Sequence, residues 1–231
     1  MTHSLNFDID YMTDFLVGLL KIPSPTGMAG EAVAYTAGAL KAFPVEQKIT
    51  NKGTLVANWA GQADSAPRAL TAHVDTLGAM VKDIKPNGRL KLTKIGGFHW
   101  NTVEGEGCFI FSSGGRRLRG SLLLYKASSH IHGGEVGDTK RDDETMEVRL
   151  DERASSAAET RALGVEVGDF VAFDPRVEVS DSGFVRSRHL DDKVGDGLLG
   201  SGAARTARGR AIVLGGDELS VPSQQRVGRH D

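Results

Sequence analysis

At 231 residues and 39% hydrophobic content, the chain has enough apolar material for one large domain or two smaller ones. A formal charge of -2 with no basic stripe argues against a nucleic-acid partner or an anionic membrane surface. The single cysteine, Cys108, cannot close an internal disulfide, no run approaches the roughly 20 apolar residues of a membrane span, and no signal-peptide pattern opens the chain, so the expectation is cytoplasmic residence.

Over residues 8–20, Tyr11, Met12, Phe15, Leu16, Leu19 and Leu20 recur at helical spacing and predict an amphipathic first helix. Ile22-Pro23-Ser24-Pro25-Thr26-Gly27 ends it in a rigid turn, because each proline removes a donor and pushes the residue before it toward extended geometry. A second helix is expected over about residues 31–42. Residues 54–59 and 69–73 then read as strands on either side of the turn-rich stretch 61–67, with His73 at the carboxyl end of the second. Open α/β sheets gather ligands at that place, where loops leaving strand ends converge.

Short β-prone runs punctuated by glycine follow over residues 79–84, 89–94, 107–112, 119–124, 145–150 and 169–174, with Pro86-Asn87-Gly88 as a hairpin turn. They suggest a small β-barrel, accompanied by one helix over 155–163 that Gly164 caps. The fold class read from this order is α/β: a mixed-sheet domain, residues 1–76 and 180–231, interrupted by an inserted β-barrel domain, residues 77–179. Residues 180–186 would be the return strand. Beyond Lys193 the pattern decays: Gly195, Gly197, Gly200 and Gly202 each cost a helix about 1 kcal/mol relative to alanine. The stretch 203–231, with one apolar island at Ala211-Ile212-Val213-Leu214, is expected to add little core.

Two short patterns carry chemistry. In Ala72-His73-Val74-Asp75-Thr76, a neutral imidazole suits a metal and a carboxylate two residues on can fix its tautomer; the plainer alternative is a strand-end histidine bonded to backbone. In Arg188-His189-Leu190-Asp191-Asp192-Lys193, Asp191 can cap a helix N-terminus or bridge two metal ions about 3.5–4 Å apart, and the two roles can coexist. His130-Ile131-His132 reads as a surface loop, Asp142-Asp143-Glu144 as a solvated turn and Cys108 as inert core. A glycosidase would need two carboxylates flanking a sugar bond, and the His73 and Asp191 patterns give that no support.

The segments Ile22-Pro23-Ser24-Pro25-Thr26-Gly27, Ala72-His73-Val74-Asp75-Thr76-Leu77-Gly78, Val167-Gly168-Asp169-Phe170-Val171 and Leu190-Asp191-Asp192-Lys193-Val194-Gly195 occur in the order that resembles the tetrahedral and glutamyl aminopeptidase family of dinuclear zinc peptidases. The wording of residues 77–82 and 187–193 is similar to a bacterial branch associated with the osmoprotectant dipeptide N-acetylglutaminylglutamine amide. The resemblance covers about residues 8–195. It implies an α/β zinc-peptidase domain interrupted by a β-barrel dimerisation domain, with N-terminal residues cleaved from short peptides by dizinc-activated water. It also implies two zinc ions per subunit, with cobalt or manganese as alternative metals, and a homo-oligomer, either a dimer or a dodecameric shell. His73 would ligate one metal, Asp75 would be the catalytic residue that orients that histidine, Asp191 would bridge both ions and Asp192 would be structural.

One departure accompanies the match. The family pattern continues into a Glu-Glu pair, a further carboxylate and a final histidine, whereas here only Gly216-Asp217-Glu218 and His230 follow. The expectation is a chain whose C-terminal part is missing or frameshifted after about Lys193, impaired as an enzyme. The alternative is a non-catalytic remnant with a self-associating β domain.

Overall fold

The computed structural model describes residues 8–60, 68–200 and 211–215. The chain divides into two compact units, Met1–Thr76 with Pro175–Asp231 and the contiguous Leu77–Asp174.

In the first unit, α1 (Ile9–Leu20) is opened by Asp8, whose carboxylate accepts from the Tyr11 N–H at 3.0 Å, and it buries Phe15, Leu19 and Leu20. Helix α2 (Gly30–Leu40) buries Ala32, Val33, Thr36 and Leu40. A Cβ at Gly18 would stand 2.1 Å from the Tyr35 hydroxyl oxygen, so a larger residue there would displace the ring that stacks on Phe15 at 5.2 Å. Strand β1 (Val45–Ile49) pairs antiparallel with β2 (Leu55–Trp59), and β3 (Arg68–Thr71) leads toward His73. Sequence reading missed β1, whose exposed and half-buried residues lack an apolar face.

The second unit is a closed antiparallel barrel in the order β4-β5-β8-β7-β6-β9. Its strands are β4 (Gly78–Ile84), β5 (Leu90–Ile95), β6 (Gly107–Phe111), β7 (Arg117–Leu124), β8 (Met146–Leu150) and β9 (Phe170–Phe173). Each lies within two residues of the run predicted for it. Strict alternation on β7 sends Leu118, Leu122 and Leu124 inward, where they meet Leu90, Leu92, Ile110, Val148, Val171 and the buried Cys108. Burial pushes the Cys108 thiol up to about 12, so it stays protonated and inert. His130, exposed, and His132, half-buried, fall in the one-turn helix α3 (Ser129–His132), and α4 (Glu135–Asp138) follows. Helix α5 (Ala157–Ala162) is tied to the β4–β5 hairpin, where the Thr160 hydroxyl donates to the Gly88 carbonyl at 2.8 Å. Gly88 sits at φ +80°, which its place in that turn requires.

The chain then returns to the first unit. Residues 180–186 are not a sheet strand: β10 (Glu178–Val179) and β11 (Val185–Arg186) form a small hairpin by themselves. Helix α6 (Leu190–Gly200) packs on α1 and α2. Strand β12 (Ala211–Gly215) lies between β2 and β3, antiparallel to the first and parallel to the second. The apolar island expected to add little thus occupies an inner position of the sheet order β1-β2-β12-β3.

Candidate functional site

His73 leaves the end of β3 on an extended segment whose Ala72 and Val74 are buried. Extended backbone alternates, so 73 and 75 share a face. The Nδ1 of His73 stands 3.1 Å from Asp75 Oδ1 and 3.3 Å from the Asp75 carbonyl oxygen. The second carboxylate oxygen, Oδ2, accepts from the Thr26 hydroxyl. With Nδ1 committed to this carboxylate, Nε2 is the nitrogen that faces outward, and it lies 3.5 Å from Asp191 Oδ1. The hydrogen bond that His73 donates to the Asp75 carboxylate, opposed by partial burial, lifts His73 to about 9. A cation binding at Nε2 would therefore displace a proton at neutral pH.

Asp191 and Asp192 have non-helical backbone angles at the start of α6, and the peptide bond between them is cis. The Asp191 side chain is 97% exposed. Asp192, rather than Asp191, takes the capping role, its Oδ1 accepting from the Gly195 N–H at 3.2 Å.

The next turns of α6 bury charge. Lys193 is fully buried, and its Nζ donates to the carbonyls of Leu19 at 2.9 Å and Ile22 at 2.8 Å, where α1 ends and the proline turn begins. Burial depresses this ammonium to about 8. Asp196 is equally buried and has one partner, Thr36 Oγ1 at 2.6 Å, while its Oδ1 has none among the described residues. Burial raises it to about 6. A protonated Asp196 completes a chain of donors: its hydroxyl donates to Thr36, whose own proton goes to the Ala32 carbonyl at 3.2 Å.

The fold thus brings His73, Asp75 and Asp191 together from the two sequence segments that flank the barrel in the chain. The donor set suits a metal in part. Two ligands on one tetrahedral zinc, with bonds of about 2.0–2.1 Å, stand about 3.4 Å apart, close to the observed His73–Asp191 spacing. Among the described residues no group of three or more histidine, cysteine, aspartate or glutamate side chains could hold an ion. Gly216-Asp217-Glu218 and His230 lie outside the described residues. Sequence reading assigned no role to Thr26, Lys193 or Asp196, although the i, i+3 spacing of Lys193 and Asp196 placed both on one helix face.

Comparison with known proteins bears on the family and the fold. Residues 53–211 match the family model described as M42 glutamyl aminopeptidase. The Bacillus subtilis protein YhfE, which is named as an aminopeptidase, is 49% identical over 78% of this chain and 52% of its own length. The chain spans about half the length of the curated relatives it matches. Among solved structures, an aminopeptidase from the archaeon Desulfurococcus kamchatkensis superposes with a TM-score of 0.79 at 20% identity, covering 90% of this chain and 56% of that one. The Pyrococcus horikoshii TET1 peptidase, which can assemble into a tetrahedron or a large octahedral shell, gives 0.73 at 21% identity over 88% of this chain and 60% of its own.

Proposed function

This chain belongs to the M42 glutamyl aminopeptidase family, and on that premise we propose that its α/β unit carries part of a dinuclear metal site for removing N-terminal residues from short peptides. The observation that carries the reading is the line Asp75–His73–Asp191, in which one carboxylate orients the imidazole and the other stands at ligand-to-ligand distance from Nε2. His73 and Asp191 would hold the metal and Asp75 would position His73. Zinc, when bound, supplies Lewis-acid polarisation of the scissile carbonyl and activation of water. The chain's own part is to aim Nε2 outward, where a metal would take the place of its proton, and to keep an exposed carboxylate beside it.

Self-association through the barrel unit belongs to the same proposal, supported by the shell-forming structural neighbour. The osmoprotectant branch rests on residues 77–82 and 187–193 alone. A second reading, a non-catalytic protein, is favoured by the lack of a three-ligand group among the described residues.

The deciding experiment titrates the metal-free chain with zinc chloride and follows release of N-terminal residues from short peptides, the osmoprotectant dipeptide amide included. Sedimentation of the same samples reports self-association, and a monomer throughout would refute that part. Zinc binding weakened at least about tenfold by His73→Ala and by Asp191→Ala is expected. Equal binding in all three chains would remove these residues from the site, and binding without hydrolysis would select the non-catalytic reading.

A further inference from the structure

We propose that Thr26 is a positioning residue for His73, acting through Asp75 as the outermost member of a hydroxyl–carboxylate–imidazole relay. This rests on the reading of His73 as a metal ligand and adds to it the group that sets the orienting carboxylate.

The segment 24–26 runs beside 74–76 as a parallel bridge centred on Pro25 and Thr76. Three bonds hold it there. The fully buried Ser24 hydroxyl donates to the Val74 carbonyl at 2.7 Å, the Thr76 N–H donates to the Ser24 carbonyl at 2.8 Å, and the Thr26 N–H donates to the Thr76 carbonyl at 3.3 Å. Pro23 and Pro25 stiffen the approach, and Gly27 turns the chain away at φ +97°. None of these contacts uses the Thr26 side chain. Its hydroxyl instead donates to Asp75 Oδ2, the oxygen turned away from the histidine.

A carboxylate can rotate about its Cβ–Cγ bond, and a bond to an imidazole engages one of its oxygens only. The Thr26 hydroxyl engages the opposite oxygen and so adds to the restraint, and β-branching restricts the χ1 of Thr26 itself. Oδ1 is thereby held at His73 Nδ1, and Nε2 is aimed at Asp191. Because the backbone bonds and Ser24 already seat the segment, removing the hydroxyl alone should leave the fold in place and loosen the imidazole. Sequence spacing could not reveal this, since 26 and 75 meet only through the bridge.

The test measures zinc affinity of the metal-free chain by calorimetry for wild type, Thr26→Val, Thr26→Ser and His73→Ala, with urea unfolding of each without metal. Thr26→Val is nearly isosteric and lacks the donor; Thr26→Ser restores it. The expected result is a loss of about tenfold to a hundredfold for Val, as for other partners of metal-bound histidines, with Ser within about threefold of wild type and metal-free stability shared by all. Thr26→Val binding zinc as wild type does, while His73→Ala binds it poorly, would overturn the relay and spare the site. Zinc binding that is absent from wild type or indifferent to His73→Ala would overturn both. A fall in metal-free stability that accounts for the loss in Thr26→Val, unrescued by serine, would reduce Thr26 to a structural residue.

Discussion

In the barrel, two buried acids each have a donor on both oxygens: Glu147 receives the Lys85 ammonium at 2.6 Å and the Arg89 guanidinium, and Asp169 receives the Ser113 and Glu166 N–H groups at 2.9 and 2.8 Å. In the α/β unit, Asp196 has a single hydroxyl partner and one bare oxygen, and Lys193 is held by two carbonyls with no carboxylate in contact among the described residues. The apolar interior of the barrel lets it meet the general demand that buried polarity be matched. The α/β unit departs from that demand on the helix whose first residues carry Asp191 and Asp192. One unit is built for stability, and the other accepts a local deficit beside its candidate site.

The largest expected effect breaks the stable half. Leu122→Ala removes a fully buried side chain from the barrel core and should cost about 3 kcal/mol in urea unfolding. Zinc affinity should stay at the wild-type value, and a parallel loss of affinity would contradict the division of labour.

The next sharpens the deficit. The folded-state value of Asp196 is raised to about 6 from 3.8, so folding favours its protonated form. Its contribution is most favourable below about pH 4, falls as pH rises through 6 and is flat above, a total of about 2–3 kcal/mol. Asp196→Asn keeps the shape and removes the titration. The variant should gain stability over wild type at pH 7.5 relative to the same comparison at pH 4.5, and a difference independent of pH would rule out the buried neutral acid.

The smallest concerns a barrel pair that is not deeply buried. Arg119 grips Asp174 through two bonds of 2.6 and 2.7 Å and stacks on Phe109 at 4.2 Å, but its side chain is 41% exposed. Solvent screening limits Arg119→Lys to less than about 1 kcal/mol of stability. A loss above about 2 kcal/mol would mean that the barrel depends on its wall charges more than on its core.

Legibility in the sequence followed the same boundary. The barrel strands could be read because a one-sided core writes strict alternation, as in Leu118, Leu122 and Leu124. Strand β1 has no apolar face to betray it, and β12 carries an apolar run too short to say which neighbours it would take. At the site, His73, Asp75 and Asp191 stand out because their residue types and spacing are themselves chemical. Thr26, Lys193 and Asp196 do not. A threonine in a proline turn, a lysine after two aspartates and an aspartate in a glycine-rich helix look like surface residues until the chain folds α1, α2 and the 74–76 segment around them.

The place of β12 also sets an order of assembly. All six barrel strands lie between residues 78 and 173, so a growing chain holds every partner the barrel needs once that stretch has left the ribosome. Strand β3 is made earlier, yet among the described residues its only sheet neighbour is β12. Among the described residues, the strand that leads toward His73 is therefore an open edge until residues 211–215 arrive to join it to β2.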